Sequence, residues 1–286
     1  MTTLRFEDHR SYLERLAYRI LGSLADAEDV VQETFLRWET SDKPELVSER
    51  AWLTRTCTRL CLDVLKSAHR KRVSYVGEWL PEPLVGDVGA KERIDESLSF
   101  ALLTSIERLR PTERAVFLLH DVFDHPFEEV AEILDLEAAN CRQIATRARK
   151  ALGETRVRSQ TPAEEISRIA DAFFAALDSG DVSALTQVLA SDVVMHTDSG
   201  GKVRALLEPL AGAADVAAFF DAVFIRTGAV FDRRVVWFNG APGMVLSKDG
   251  ALVSAFQFDV VDGRIQGIFV HRNPDKLAAF ADAIAN

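Results

Sequence analysis

Cysteine is scarce in this sequence, and long apolar runs are missing. Three of the 286 residues are cysteines, which is too few for a disulfide framework. No stretch approaches the roughly 18 uncharged apolar residues that a membrane-spanning helix needs. The first residues, Met-Thr-Thr-Leu-Arg-Phe, lack the apolar run of a signal peptide. These absences predict a cytoplasmic protein that does not cross a membrane.

Two of the cysteines, Cys57 and Cys61, lie four residues apart on a predicted helix and can face the same way. A metal site would need further ligands, and no nearby histidine or third cysteine completes a tetrahedral set. We therefore expect both thiols to pack as small apolar groups. The sequence predicts neither a metal nor a cofactor.

The charge is distributed unevenly along the chain. The net charge is −10, which at first argues against nucleic-acid binding. Between residues 50 and 72, however, seven lysines and arginines face Asp63 alone, and residues 140–150 carry four basic residues and no acid. A protein that is acidic overall binds DNA weakly without help. The two basic segments therefore predict a DNA-binding subunit that works with a partner.

Helical patterns fill the first half of the chain, and strand patterns follow in the second half. We predict a helical domain at residues 1–72, a proline-containing linker at 73–96 and a second helical domain at 97–158. Residues 163–286 alternate apolar and polar positions between Asp-Gly turns, after two initial helices. This pattern predicts an α+β domain with a curved antiparallel sheet.

Two of the predicted helices separate an apolar face from a polar one. In the helix that begins near Asp26, Val30, Val31, Phe35 and Trp38 can turn inward. The polar residues Asp29, Gln32 and Glu33 then lie on its outer surface.

The second helix of a predicted helix-turn-helix, residues 139–152, places Cys141, Ala145, Ala148 and Leu152 on one face. Ile144 has two open interpretations, packing or contact with a thymine methyl group. The opposite face is polar and basic, as a DNA-recognition helix requires. It consists of Arg142, Gln143, Thr146, Arg147, Arg149 and Lys150.

Several motifs resemble a known family. The segment from Tyr18 to Trp38 resembles region 2 of bacterial sigma factors of the extracytoplasmic-function type. The segment from Leu109 to His120, with the helix-turn-helix after it, resembles their region 4. One subgroup of these factors carries a fused C-terminal SnoaL-like domain with the cone-shaped nuclear-transport-factor-like fold. This chain is similar to it at Trp79-Leu-Pro-Glu-Pro83, Asp198-Ser-Gly-Gly-Lys202 and Asn273-Pro-Asp-Lys-Leu277, with Ser199 where the subgroup has glycine.

The resemblance implies a function in transcription initiation, with no catalytic residue. Asp29, Gln32 and Glu33 would dock on core RNA polymerase, whose beta and beta-prime subunits are the implied partners of the factor. The promoter −10 element would contact Arg55, Arg59, Lys66, Arg70, Lys71 and Arg72. The −35 element would contact Arg142, Gln143, Thr146 and Arg147, with Arg149 and Lys150 on phosphates.

The resemblance also implies regulation in cis by the C-terminal domain. We expect its two motifs to be surface loops that contact the sigma domains and the linker. The residues concerned are Trp79, Leu80, Pro81 and Pro83 in the linker, and Asp198, Gly200, Gly201, Lys202, Asn273, Pro274, Asp275 and Lys276 in the loops. A small-molecule ligand of the SnoaL-like pocket is left open.

Two alternatives remain open at this point. One is a helix-turn-helix regulator with a ligand-sensing domain. The other is a cyclase-like enzyme fused to DNA-binding helices, with His196 and Asp198 as acid and base and with Asp259 and His271 beside them. The acidic docking helix argues against both, because neither protein has a use for it.

Overall fold

The computed structural model describes residues 2–41, 48–72, 75–85, 99–153, 161–228 and 230–285. The chain divides into two compact units. The helical unit contains residues 1–73 and 102–157, and the α+β unit contains residues 74–101 and 158–286. Residues 75–85 of the predicted linker therefore share a unit with the C-terminal domain, and residues 86–96 lie outside the described part. In that part, no helix is long and apolar enough to cross a membrane.

The first three helices of the helical unit form around an apolar core. They are α1 (Thr2–Leu21), α2 (Leu24–Thr40) and α3 (Glu49–Arg72). Gly22, with φ of +70°, ends α1, and the Ser23 hydroxyl caps α2 by accepting from the Asp26 amide. Cys57 and Cys61 are fully buried and unpaired on the inner face of α3. Burial raises the pKa of the Cys61 thiol, which confirms that the pair packs as apolar groups.

The remaining helices of this unit end in a helix-turn-helix. They are the end of α4 (Phe100–Ile106), α5 (Pro111–Phe117) with one π-helical turn (Leu118–Val122), α6 (Phe127–Leu134) and α7 (Ala138–Leu152). The last two, α6 and α7, form the helix-turn-helix. Pro111 opens α5, as its fixed φ favours. Asp135 ends α6 in the left-handed conformation, with φ of 59°.

The two helical parts pack against each other inside this unit. Arg114 of α5 is 2% exposed, and its Nη1 donates to the Ile20 carbonyl at 2.8 Å and to Glu107 at 2.7 Å. The Tyr12 hydroxyl of α1 lies 2.8 Å from His125 Nε2. Buried polar contacts of this kind fix one arrangement, because an unpaired buried donor is costly.

The α+β unit is built on a six-stranded mixed sheet with strand order β2-β1-β6-β5-β4-β3. The expectation of an antiparallel sheet is wrong for one pair, since β1 and β6 run parallel. Parallel pairing requires a long crossover, and the whole of β2 to β5 lies between these two strands. The strands are β1 (Leu189–Asp198), β2 (Leu210–Ala211), β3 (Asp232–Phe238), β4 (Ala241–Lys248), β5 (Ala251–Val261) and β6 (Arg264–His271).

Helices cover both faces of this sheet. One face holds a core rich in phenylalanine, including Phe173, Phe220 and Phe256, whose rings meet edge-to-face or tilted. The helices on this face are α8 (Ala163–Ser179), α9 (Val182–Val188) and α10 (Ala213–Phe220). On the other face, Phe280 of α11 (Pro274–Ala285) packs against Phe238 at 5.0 Å between ring centroids. The sequence pattern did not predict α11. The predicted Asp-Gly turns are confirmed, since the aspartate and the glycine both have positive φ in each of them.

Candidate functional site

One outer stripe of α2 combines carboxylate, amide and apolar groups. Asp29 and Gln32 are exposed and Glu33 is half-buried, one or two turns apart on the face opposite the buried Val30 and Trp38. Leu36 continues the stripe with 50% of its surface exposed, which sequence reasoning missed. Positions 29, 32, 33 and 36 share one helix face. A single exposed leucine is ordinary on a protein surface, so the stripe is distinguished by its combination of carboxylate, amide and apolar groups on one face.

The α3 helix presents separate cations to solvent. Arg55, Arg59 and Lys66 are exposed. Lys66 pairs with Asp63 at 3.1 Å, and Arg59 Nη2 lies 3.9 Å from the Asp135 carboxylate. The side chains of Arg70, Lys71 and Arg72 lie outside the described residues, although their backbone continues α3. The predicted −10 residues that are described therefore form one accessible basic face.

The recognition helix α7 divides as the sequence predicts. Cys141, Ala145, Ala148 and Leu152 are buried, which confirms the predicted inner face. Ile144 is 5% exposed, so it packs in the core and the alternative of a thymine contact is wrong. The predicted −35 residues, Arg142, Gln143, Thr146, Arg147, Arg149 and Lys150, are all exposed.

Three arginines of α7 are held by carboxylates of the same unit. Arg142 Nη2 donates to Glu128 at 2.5 Å, and Arg149 Nε donates to Asp121 at 2.7 Å. Arg147 lies 3.9 Å from Glu113. The backbone amide at Glu128 and then the Arg142 guanidinium lower the pKa of the Glu128 carboxyl. The three guanidiniums are about half exposed, whereas the Glu113 and Asp121 carboxylates are largely buried, so the arginines remain accessible from solvent.

The two C-terminal motifs converge on the linker segment 75–85. Asp198, at the end of β1, is fully buried, and its carboxylate accepts from the Tyr75 hydroxyl at 2.5 Å and the Leu80 amide at 3.0 Å. Lys276, in the first turn of α11, binds the same carboxylate at 2.7 Å and donates to the Leu80 carbonyl at 2.5 Å. The Lys276 ammonium also lies 4.0 Å from the centre of the Trp79 ring, a cation–π contact. We call this cluster of five residues the linker clasp.

The charged pair of the clasp is buried, whereas Tyr75 and Trp79 are half-buried. The expectation of surface loops is therefore wrong for Asp198, Asn273 and Lys276. Asp198 and Lys276 are 0% and 8% exposed, and the Asn273 amide donates to the Tyr75 hydroxyl at 2.9 Å. Burial, and then the bond to Asp198, raise the pKa of the Tyr75 phenol, so it stays a proton donor. Of the remaining motif residues, Pro81 and Pro83 are buried, Gly200 is half-buried, and Gly201, Lys202, Pro274 and Asp275 are exposed.

The glycines of the Asp198-Ser-Gly-Gly-Lys202 motif have a packing role. Gly200 and Gly201 have φ of +60° and +71°. A Cβ at Gly201 would lie 2.7 Å from the Cβ of Val76, and one at Gly200 would lie 2.7 Å from the Asn273 amide. Ser199 is not among the described residues with positive φ, so serine fits where the subgroup has glycine.

The linker segment is also bound at its far end. The Leu84 amide donates to Asn239 Oδ1 at 2.8 Å, and the Asn239 amide donates to the Leu84 carbonyl at 2.8 Å. A carboxylate oxygen of Glu78 lies 2.9 Å from His196 Nδ1, and the His196 ring stacks on the Phe269 ring. Residues 75–85 are therefore anchored along their length on the α+β unit.

The candidate acid–base residues are not assembled in a cavity. His196 and Asp198 lie on the linker face of β1 and are engaged by Glu78 and Lys276. His271 is fully buried, and burial lowers its pKa to about 3, so its imidazole is neutral. Among the described residues, neither nitrogen of His271 has a hydrogen-bond partner. No group of three or more potential metal ligands occurs in the described ranges either.

The comparisons with known proteins identify the family. The Sigma-70 region 2 model matches residues 5–71, and the Sigma-70, region 4 model matches residues 99–152. The ECF RNA polymerase sigma factor SigJ of Mycobacterium tuberculosis is 36% identical over 291 residues, which cover 96% of this chain and 93% of SigJ. The probable ECF RNA polymerase sigma factor SigI of the same organism is 36% identical over 274 residues, 94% of this chain and 92% of SigI.

A solved structure agrees over nearly the whole chain. The crystal structure of Mycobacterium tuberculosis SigJ matches with a TM-score of 0.77 and 34% identity, covering 96% of this chain and 98% of that one. The chain therefore belongs to the extracytoplasmic-function RNA polymerase sigma factors, and it is an alternative sigma factor. The predicted fold class, two helical sigma domains followed by an α+β SnoaL-like domain, is confirmed.

Proposed function

We propose that the exposed stripe of α2 docks this sigma factor on core RNA polymerase. The observation that supports this is the combination of Asp29, Gln32 and Leu36 on one accessible helix face. The carboxylates would pair with basic residues of the beta-prime subunit, and Leu36 would be buried in the contact. The beta subunit would contact the region 4 part. Docking takes place in the cytoplasm, where polymerase and promoter DNA meet.

The docking proposal is tested by charge reversal. Asp29→Arg should weaken binding to core polymerase at least about tenfold, because an attractive pair becomes a repulsive one. Asp171→Arg is the matched control, since Asp171 is also an exposed helical aspartate but lies on α8. Fluorescence anisotropy with labelled sigma factor measures both. Equal binding of the two variants would contradict docking through α2.

The basic faces of α3 and α7 are proposed to contact promoter DNA. Arg55, Arg59 and Lys66, with Arg70, Lys71 and Arg72 beyond them, would follow the phosphates of the −10 strand. In α7, Arg142 and Gln143 have the donors that read guanine and adenine edges in the major groove. The net charge of −10 keeps free sigma factor from binding DNA tightly, so the polymerase supplies much of the affinity.

The C-terminal domain is proposed to regulate the sigma domains in cis through the linker clasp. The observation that supports this is chain order: residues 75–85 lie between regions 2 and 4, and the clasp binds them to the α+β unit. Regions 2 and 4 pack together in the helical unit, whereas −35 and −10 elements are separated along the duplex. A fixed linker would resist their separation, which is the task of a separate anti-sigma factor in other systems.

Run-off transcription at limiting core polymerase tests this regulation. Lys276→Met opens the clasp, and we expect it to increase transcript yield. Lys202→Met is the matched control, because Lys202 pairs with Asp275 outside the clasp and is exposed. A lower yield with Lys276→Met would show instead that the bound linker is part of the initiation machinery.

The α+β domain is proposed to have no enzymatic role. The support is that Asp198 and His196, the residues that an acid–base reaction would use, bind linker groups on the face away from the interior of the domain. Substitution of Asp198 would then change transcription through the linker. If the protein turned over a substrate in a cyclase assay and lost this activity when Asp198 was substituted, the result would contradict this proposal.

A further inference from the structure

The α+β unit contains a cavity on the sheet face opposite the linker clasp. Its volume is about 260 Å³, and it lies between the sheet and α10. Most of the wall is apolar, with Phe219, Phe220 and Phe256 among the lining residues. Four polar residues also line it, Thr197, Lys248, Ser254 and Arg272. A largely apolar cavity with a few polar groups is the usual composition of a small-molecule site.

The alternation of the strands separates this cavity from the clasp. Along β1, Met195 and Thr197 line the cavity, whereas His196 and Asp198 point to the linker segment. At the end of β6, Arg272 lines the cavity, while the adjacent Asn273 bonds to Tyr75. Successive side chains of a strand point to opposite faces. The cavity is therefore a site of its own that no clasp residue occupies.

Arg272 supplies a half-buried cation with an unused donor. Its Nη1 donates to the Arg204 carbonyl at 2.6 Å, which holds the guanidinium in place. Its Nε is buried and has no hydrogen-bond partner among the described residues. Burial lowers the pKa of Arg272. A buried donor without an acceptor is unfavourable, and a charged one more so, which makes it a strong binding group for an anion.

The charges of the wall select the ligand class. Lys248 adds a second cation, and none of the lining residues in the described part of the chain is an aspartate or glutamate. We propose that this cavity binds a small amphipathic carboxylate, with its apolar body among the phenylalanines and its carboxylate on Arg272. The Thr197 and Ser254 hydroxyls also line the cavity, but each already donates to a backbone carbonyl, so the carboxylate relies on the cations. The cavity volume suits a body of about one or two rings or a medium-length acyl chain.

Calorimetric titration of the full chain tests the site without polymerase, so its result is independent of the sigma function. The probes are benzoate, 2-naphthoate and decanoate, each compared with its uncharged alcohol. At least one acid should bind, and its alcohol should bind about tenfold or more weakly, because the charge-assisted bond is lost. Binding of no acid, or equal binding of acid and alcohol, would overturn the proposal.

Two variants locate the binding. Arg272→Gln should weaken binding of the acid at least about tenfold and leave binding of the alcohol unchanged. Arg168 is an exposed arginine of α8, and Arg168→Gln should change neither affinity. Unaltered acid binding by Arg272→Gln also overturns the proposal. If circular dichroism shows that Arg272→Gln does not fold, Val223→Trp takes its place. Val223 lines the cavity with 37% of its surface exposed, and the larger ring should exclude the acid; retained binding would contradict the site.

Discussion

At the scale of single residues, the α+β unit contains a buried ion pair, Asp198 and Lys276. Their side chains are 0% and 7% exposed and lie 2.7 Å apart. Taking two charges out of water costs several kcal/mol per ion, so the pair is tolerated only because each partner makes further bonds. These bonds are made to Tyr75 and Leu80. Polar groups of the linker segment therefore replace the water that the two charges lose on burial.

We predict that Lys276→Met destabilises the α+β unit by about 3–5 kcal/mol, because it leaves a buried carboxylate without its cation. Urea unfolding measures this difference. Adding Asp198→Asn to Lys276→Met should recover part of the loss, since the remaining carboxylate is neutralised. Lys202→Met should change stability by about 0–1 kcal/mol, as expected for an exposed pair. Similar losses for the two lysines would contradict the buried pair.

The glycine at position 201 is predicted to be required for linker binding. Gly201→Ala combines a positive φ of +71° with a contact of 2.7 Å to the Cβ of Val76. Gly250→Ala has a φ of +78° but nothing within 4 Å of its added Cβ, so it controls for backbone strain alone. Faster hydrogen exchange at residues 75–85 should appear for Gly201→Ala and not for Gly250→Ala. Equal exchange in both variants would mean that the segment does not depend on this contact.

His271 gives the α+β unit a predicted sensitivity to acid. Burial lowers its pKa to about 3 in the folded state, whereas an unfolded histidine titrates near 6.5. Below pH 6.5 the unfolded chain therefore binds a proton that the folded chain refuses. Stability from this group is full above pH 6.5 and is lost as the pH falls towards 3, by about 1.4 kcal/mol per pH unit.

Urea unfolding of the wild type and of His271→Leu between pH 7 and 4.5 measures this effect. Other groups titrate in both proteins, so the difference between the two slopes reports His271. The wild type should lose stability more steeply than the variant as the pH falls. Parallel profiles would mean that His271 has the same pKa in the folded and in the unfolded protein, which would contradict the lowered value.

At the scale of elements, α7 carries on one exposed face the side chains that we propose to read bases and to bind phosphates. Its inner face is fixed by the burial of Cys141, Ile144 and Ala148. This orientation leaves Gln143 and Lys150 facing outward at opposite ends of the helix. The proposed DNA-binding face of α7 therefore has one fixed orientation in the helical unit.

We predict different consequences for the two ends of α7. Gln143→Ala should weaken holoenzyme binding at one position of the −35 element, by about 1–3 kcal/mol, and relax the preference for that base. Lys150→Ala should weaken binding to all sequences alike and reduce the salt dependence. Binding to a set of promoters with single −35 changes measures both. A uniform loss with Gln143→Ala would contradict a role in base reading.

At the scale of the whole molecule, the contacts within the helical unit keep regions 2 and 4 together. Tyr12 and His125 form one of these contacts at 2.8 Å, and Arg114 forms another with the end of α1. We propose that these contacts break when the two regions bind separate promoter elements. Binding to core polymerase and DNA would then supply the free energy for that step.

We predict that core polymerase separates the two regions. Spin labels at Ser11→Cys and Glu132→Cys should give one narrow distance distribution in the free protein and a longer distance in the holoenzyme. Cys57, Cys61 and Cys141 are buried, so the introduced thiols react selectively. An unchanged distance in the holoenzyme would mean that regions 2 and 4 bind polymerase while still packed together.

The sequence by itself determined the features that depend on local periodicity and turn chemistry. The two faces of α2 and α7 follow from helical spacing, and the Asp-Gly turns at 249–250 and 262–263 follow from the positive φ they need. The region 2 and region 4 motifs, which occur in that order along the chain, were likewise sufficient to predict the family.

Only the tertiary structure decided the features that join distant parts of the chain. Asp198 and Lys276 read as surface-loop residues in sequence, yet they are buried together because β1 and α11 meet at the linker. The parallel pairing of β1 with β6 and the packing of Ile144 are further examples. Long-range pairing depends on which surfaces the fold brings together, and neither side-chain polarity nor spacing contains that information.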